Sequence, residues 1–251
     1  LKVSASKWKS IVNASYDSNG DATVGSERYR RIKAADATYA WILDDDEENS
    51  EFKDIYYNWL NTTDYHYFKY EPIKWRVLDV NGSDIFLLAD KGLDDQRYNM
   101  EYVGITWEKS TIRSWLNGYS ASNNSYGKSY TGKGFIDTAF LSSAEKNKIK
   151  TTDVVNKDNL QEGTEGGKDT KDKVFLLSES EVYQTEAAKS YGFAAPYDLD
   201  DAGRGALQST YSVAMGIFNG DCSWWLRSPG DTTDSAAFVY DTGYVGSWGN
   251  D

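Results

Sequence analysis

The run Ser223-Trp224-Trp225-Leu226-Arg227-Ser228-Pro229-Gly230 most narrows what this chain can become. Two tryptophans, a leucine and an arginine ahead of a Ser-Pro-Gly stop read as a strand that ends at a turn. Alternate strand side chains point to opposite faces, so Trp224 and Leu226 share one face and Trp225 and Arg227 the other. Such a strand is covered on both faces, or buries one and displays the other. Ala236–Tyr240, Asp241-Thr242-Gly243 and Tyr244–Trp248 follow, a strand, a glycine-containing turn and a strand. That is a hairpin signal.

Three upstream stretches are as well defined. Ile73–Val80 and Ser83–Ala89 are two strand patterns joined by Asn81-Gly82, the dipeptide that best favours a tight hairpin turn. Trp107–Asn117 places Ile112, Trp115 and Leu116 on one stripe and stops at Asn117-Gly118, which predicts a helix capped by Thr106. Val174–Leu177 reads as a buried strand, and Ser178–Glu181 and Ser142–Glu145 read as capping boxes that open helices. The polar, glycine-rich segment 156–173 reads as a flexible excursion.

In order, Ile73-Lys74-Trp75-Arg76-Val77-Leu78, the Trp107–Asn117 helix, Val174–Ser178 and the Trp224–Gly230 run resemble an uncharacterised bacterial domain family over residues 71–248. Its members occur mainly in secreted or surface proteins of anaerobic Gram-positive bacteria, so the resemblance implies an extracellular or cell-surface setting. The family is similar to a divergent C-type-lectin-like fold. Members continue into a Gly-Val-Arg-Pro-Ala-Leu strand; here Asp251 comes first, so either the chain is truncated or its closing strand differs.

Charge and composition exclude several chemistries. With 39 acidic against 27 basic residues the net charge is −12, which argues against nucleic acid and anionic membrane as partners. No apolar run approaches the ~20 residues of a membrane-spanning helix. A lone cysteine, Cys222, precludes an internal disulfide, and with a lone histidine, His66, it leaves too few ligands for a zinc site. No phosphate-binding glycine loop is present. No catalytic residue is assigned.

Residues 1–70 are expected to be an N-terminal extension docked on a main domain, 71–251, of α+β class: short helices on twisted, mostly antiparallel strands. The docking stripe is Phe52, Ile55, Tyr56, Trp59 and Leu60 on an amphipathic helix. Asp44–Glu48 is a run of like charge and reads as a solvated loop. Asp17, Asn19, Asp21 and the Thr23 carbonyl alternate like the first half of a calcium loop, although Ala22 and Arg28 stand where such a loop needs glycine and an acid. The same residues also make ordinary turns. Calcium is the single cofactor the sequence suggests.

The function expected is a non-catalytic extracellular recognition module that binds a glycan or a protein. Its ligand surface is placed on Asp231, Asp234, Tyr240, Tyr244 and Trp248, with Asn123, Asn124 and Tyr126 as a wall, because loops held by rigid strands commonly carry binding residues. Two alternatives stand beside it: a glycan-active hydrolase with paired carboxylates, and a structural spacer whose aromatics are core. Trp75, Arg76, Trp115, Trp224, Trp225 and Arg227 are read as structural. Trp75, Trp115 and Trp225 are expected to be buried together with Leu78, Leu116 and Leu226, and Arg227 to bond a carboxylate or backbone carbonyls.

Overall fold

The computed structural model describes residues 1–40, 42, 56–140, 142–183, 185–193, 195–196, 199–216 and 222–249. Seven short helices lie within them: α1 (Ala5–Val12), α2 (Thr111–Asn117), α3 (Phe135–Ala139), α4 (Ser143–Lys148), α5 (Glu179–Val182), α6 (Glu186–Ser190) and α7 (Thr210–Met215). The strands are β1 (Asp21–Val24), β2 (Glu27–Ile32), β3 (His66–Lys69), β4 (Trp75–Asn81), β5 (Asp84–Ala89), β6 (Lys91–Gly92), β7 (Thr152–Val154), β8 (Thr170–Asp172), β9 (Leu207–Gln208), β10 (Trp224–Pro229), β11 (Ala236–Val239) and β12 (Val245–Gly249). The fold is α+β, and its small sheets are mostly antiparallel.

The contacts divide into two units. The first takes in Leu1–Arg76 and two later segments, Leu88–Gln96 and Leu207–Gly220. Its sheet β1-β2-β3 starts from a hairpin in which Asp21 faces Arg30 and Val24 faces Glu27. Gly25 supplies the positive φ of 66° that this tight turn requires. Ile32 and Ala34 pack with Trp59, Ala214 and Met215, and Tyr57, Phe68 and Tyr211 flank them. Trp59 is fully buried, and its indole donates to the Ala214 carbonyl at 3.3 Å. It does not sit on a helix: it bridges Ile42 in extended backbone. Phe52, Ile55 and the acidic run Asp44–Glu48 lie outside the described residues. A parallel pair, Lys91–Leu207 and Gly92–Gln208, leads into α7, whose N-cap Ser209 accepts from the Ser212 amide.

The second unit comprises Val77–Leu87, Arg97–Ala206 and Asp221–Asp251. Its centre is Trp107, fully buried with Tyr98, Ile112, Leu116 and Ala236, while Trp115, Phe135, Phe175 and Trp225 pack around them. The expected tryptophan centre is therefore corrected. Trp115 and Trp225 are half-buried at its edge, and Trp75, also half-buried, belongs to the first unit. The helix starts later than its sequence suggests. Ser110, not Thr106, caps α2 by accepting from the Arg113 amide, and Gly118 closes it at φ 64°. The capping boxes at Ser142–Glu145 and Ser178–Glu181 are present. Val174–Leu177 forms no strand ladder; the Arg227 amide donates to Leu177 O.

Segment 156–173 is fastened rather than loose. Asn159 is buried, donating to Pro229 O at 2.8 Å and to Glu179 Oε1 at 3.2 Å. Strand β8, near its end, pairs with β7 just ahead of it. Short sequence-local signals of flexibility miss such anchors, because the partners lie far along the chain.

Candidate functional site

The last hairpin carries the candidate site, and glycines shape it. β11 pairs with β12 through Phe238–Gly246 and Ala236–Gly249, with an irregularity between the two pairs. A Cβ on Gly246 would lie 2.9 Å from Phe238 Cε1 and 3.4 Å from Tyr240 Cε2. One on Gly249 would run into Trp225 and the Ala236 carbonyl. Both strands can therefore be crossed by rings. Phe238 meets Trp225 at 6.1 Å and Tyr240 at 4.6 Å between centroids, so aromatic contact runs from the Tyr98–Trp225 pair in the core out to the surface.

At the outer end, Tyr240, Tyr244 and Trp248 form a near-equilateral triangle. Their centroids are 5.9, 6.1 and 6.0 Å apart and their planes are inclined by 55°, 52° and 51°. Trp248 Nε1 donates to Tyr240 Oη at 3.2 Å. Trp248 is 46% exposed, and the two tyrosines are half-buried. The structure thus brings together three of the five residues placed in the ligand surface.

The two acids lie elsewhere. Asp231 and Asp234 sit in the β10–β11 loop, at the opposite end of β11 from the Tyr240–Tyr244 turn. Asp231 Oδ1 accepts from Ser235 Oγ at 2.6 Å, and Asp234 Oδ1 accepts from Thr232 Oγ1 at 2.6 Å. Hydrogen bonds from Thr232 and Tyr102 hold the Asp234 carboxyl below the usual carboxylate range. In the proposed wall, Asn124 is buried and closes its own loop by donating to Lys128 O and accepting from Lys128 N. Asn123 donates to Ser120, and Tyr126 is exposed.

Sequence reasoning missed what holds the aromatic turn in place. Arg204 is 1% exposed, and its guanidinium donates to five carbonyls: Gly243 at 2.6 Å, Val182 at 3.3 Å, Ala195 at 3.0 Å, Pro196 at 3.1 Å and Leu199 at 2.7 Å. Burial lowers its pKa, while Asp201 and Asp200 raise it. Trp224 Nε1 donates to Arg204 O at 3.0 Å. Gly243, at φ 86°, presses against Asp201 so closely that a Cβ would run into the Asp201 carbonyl. The turn is a fixed support, although its sequence reads as an ordinary polar loop.

The remaining motif residues also turn inward. Arg113 Nε donates to both oxygens of Asp172, at 2.9 and 3.0 Å, and Trp107 Nε1 and Thr170 Oγ1 donate to Asp172 Oδ2. Asn117 donates to Val174 O and accepts from the amides of Lys173 and Val174. Arg227 Nη1 donates to Glu181 Oε2 at 2.5 Å and to Leu176 O at 2.8 Å, and Nη2 to Val155 O at 3.1 Å. A charge removed from water needs such partners. Trp75 and Arg76 stay half-buried on β4.

The supposed calcium loop has a different electrostatic arrangement. Asp17 Oδ1 accepts from the Asn19 and Asp21 amides, which is a turn. Buried Asp21 accepts from Arg28 at 2.5 Å, from Arg30 at 2.8 and 2.9 Å, and from Tyr70 Oη at 3.0 Å. Two guanidinium groups already supply the positive charge a cation would bring; Thr23 lies on β1, facing Arg28. Among the described residues, no three His, Cys, Asp or Glu side chains cluster to hold a metal, and no helix is long and apolar enough to cross a membrane.

Fold and site together define an α+β domain whose tryptophan-rich motif is internal scaffolding and whose ring cluster reaches the surface at the last turn. Residues 82–250 match the family described as Domain of unknown function (DUF6273), and the chain belongs to it. The match begins at Gly82, so Ile73–Leu78 precedes it. No curated protein and no solved structure matches the chain.

Proposed function

We propose that this protein is a non-catalytic recognition module, working outside the cell or on its surface, that binds a glycan or a protein through the Tyr240–Tyr244–Trp248 cluster. A C-type-lectin-like architecture and a secreted bacterial setting belong to the same proposal. The observation that carries it is exposed Trp248, at 46%, on β12 and packed against the two tyrosines of a turn fixed by Arg204 and Gly243. Rigid aromatic side chains give large contact area at low conformational cost. The inward use of Trp107, Arg113, Asn117 and Arg227 leaves the scaffold role to the motif and recognition to the turn.

The hydrolase alternative has one observation in its favour. Glu179, pushed up to about 7 by burial, stands two residues from Glu181, the partner of Arg227. Divergent carboxyl environments are how glycosidases separate acid from base. Yet Glu179 is 0% exposed, and its oxygens accept from Asn159 and the Leu160 amide. A sealed acid cannot protonate a glycosidic oxygen, so packing is the better account.

The test is a glycan array and a pull-down against surface proteins, run with the wild type and with Tyr240→Ala/Tyr244→Ala/Trp248→Ala of verified fold. Binding by the wild type and its loss in the variant are expected. Equal binding by both removes this surface as the site.

A further inference from the structure

The first unit holds an arginine whose charge the fold leaves unpaired. Arg28 and Arg30 both bond Asp21, and Arg113, Arg204 and Arg227 also donate to protein oxygens. The Arg31 guanidinium, half-buried on β2, donates to no protein oxygen among the described residues. It packs on rings instead. Its Cζ lies 4.4 Å from the centre of the Tyr16 ring and 4.3 Å from that of Tyr65. Tyr16 precedes β1 and Tyr65 precedes β3, the two neighbours of β2, so the rings reach Arg31 from both flanks. A guanidinium held against ring faces keeps its donors for partners at the edge of its plane. Its side chain is ordered before any ligand arrives, which reduces the entropy lost on binding. The group that matches such a fork is planar and offers two acceptors side by side, as a carboxylate does.

Charge and neighbouring rings narrow the ligand further. Residues 1–40 carry seven basic and four acidic side chains, a net +3 within a chain of net charge −12. Lys7 and Lys69 are already paired, both with Glu27. One free guanidinium suits one carboxylate, whereas phosphorylated ligands call for arginine clusters. Ring contact continues from Tyr16 to Tyr67, 6.0 Å between centroids, and from Tyr67 to Trp8 on α1, 5.3 Å. Trp8 is 44% and Tyr65 40% exposed, so this run opens to solvent at both ends. Rigid aromatic side chains beside a carboxylate fork give a sugar ring a contact surface next to the partner of its acid group.

We infer that Arg31, held between Tyr16 and Tyr65, binds the carboxylate of a uronic-acid sugar, and that Tyr67 and Trp8 carry the adjoining part of the glycan. This site lies in the first unit and is independent of the surface at the last turn. Trigalacturonic acid is the probe. The Arg31 Nε–H resonance, assigned by its disappearance in Arg31→Lys and recorded at mildly acidic pH where that proton exchanges slowly, reports binding on the intact chain. Titration should shift it saturably, and sodium chloride at matched ionic strength should not. The trimethyl ester, which keeps the sugar rings and lacks the charges, should bind at least about tenfold more weakly. Arg31→Lys keeps the charge without the planar fork and should weaken trigalacturonate at least about tenfold, read at the Trp8 indole N–H. Trp8→Ala, an exposed change, should weaken it at least about threefold, read at Arg31 Nε–H. No saturable shift, equal affinity for the ester, or undiminished binding by Arg31→Lys overturns the inference. Tighter binding of triglutamate also overturns it, since the partner would then be an acidic protein segment. The Tyr240→Ala/Tyr244→Ala/Trp248→Ala protein should bind trigalacturonate as the wild type does; loss there would move the carboxylate to the last turn and overturn this inference alone. Retained binding there, when no other glycan or protein binds the wild type, would uphold this site and remove support from the other.

Discussion

The Arg204 guanidinium donates to the Gly243 carbonyl at 2.6 Å, linking a fully buried charge to the turn between Tyr240 and Tyr244. The same group holds four further carbonyls. Leaving buried acceptors without donors costs about 1–3 kcal/mol each, though not additively. Arg204→Ala should therefore destabilise by at least about 3 kcal/mol in urea unfolding. Arg204→Lys, which offers three donors in place of a planar fork, should recover only part of that. A loss below about 1 kcal/mol in Arg204→Ala would show that the five bonds are not formed in solution.

Arg227 makes the corresponding prediction for the β10 motif. Arg227 is buried and its partner Glu181 half-buried, and removing one partner of a buried pair costs about 3–5 kcal/mol. Arg227→Ala should lower the melting temperature sharply, and a double-mutant cycle with Glu181→Gln should show coupling. An unchanged melting temperature together with lost ligand binding would move Arg227 to the binding surface.

Glycine 246 links packing to the site. In Gly246→Ala the new methyl group meets Phe238 at 2.9 Å, and overpacking of this kind costs about 1–3 kcal/mol. Phe238 and Tyr240 must shift to admit it, so the Trp248 indole resonance should move even without ligand. A spectrum identical to wild type would mean that the rings do not cross Gly246.

Stability should fall as pH rises from about 4 to about 7. Burial lifts Glu179 to about 7 and, in the first unit, Asp94 to about 7 and Asp95 to about 6. Each keeps its proton in the folded chain at a pH where the unfolded chain has lost it, so the contribution is complete below about pH 4 and is lost by about pH 7. Glu179→Gln should flatten this decline, and its advantage over wild type should grow from pH 5 to pH 8 in thermal melts. Parallel curves for the two proteins would remove Glu179 as a cause.

Calcium should leave the melting temperature unchanged. A ligand of the native state present at a hundredfold excess over Kd adds about 2.7 kcal/mol, a shift easily seen. Asp21, however, is already held by Arg28 and Arg30. Asp21→Ala should cost about 2–4 kcal/mol, because two half-buried arginines lose their buried partner. A calcium-dependent rise in the wild type that Asp17→Ala abolishes would restore the cation site.

What the sequence made legible was what local rules govern. Hairpins at Asn81-Gly82 and Asp241-Thr242-Gly243, the two capping boxes and the Asn117-Gly118 end of the helix depend on neighbours within a few residues, whereas the sequence pattern puts the helix start four residues ahead of Thr111. The α+β class followed from them. The five-carbonyl hold of Arg204, the Asp172 hub and the Asn159 anchor depend on partners tens of residues away, and no periodicity announces them. Asp172 had one faint signal, since the buried arginine of a helix motif needs an acid somewhere. The ring triangle was half legible: alternation put Tyr244 and Trp248 on one face, but glycines 246 and 249 decide where the rings cross. Asp231 and Asp234 show the reverse error, grouped with the rings by sequence proximity and separated by the length of β11.

The interleaving of the two units bears on how the chain reaches this state during synthesis. Trp59 closes its core on Ala214, 155 residues later, and β6 pairs with β9 across 116 residues. The second unit likewise lacks its three-stranded sheet until β12 has been made. Neither core can form from a growing N-terminal fragment, so aromatic surface around Trp59 and Trp107 emerges from the ribosome before its partners exist. Contacts this distant in sequence also close slowly, since the chain must lose loop entropy before they form. The protein is thus committed to folding late, once β12 has been made, and to dependence on whatever shields the unfinished chain until then.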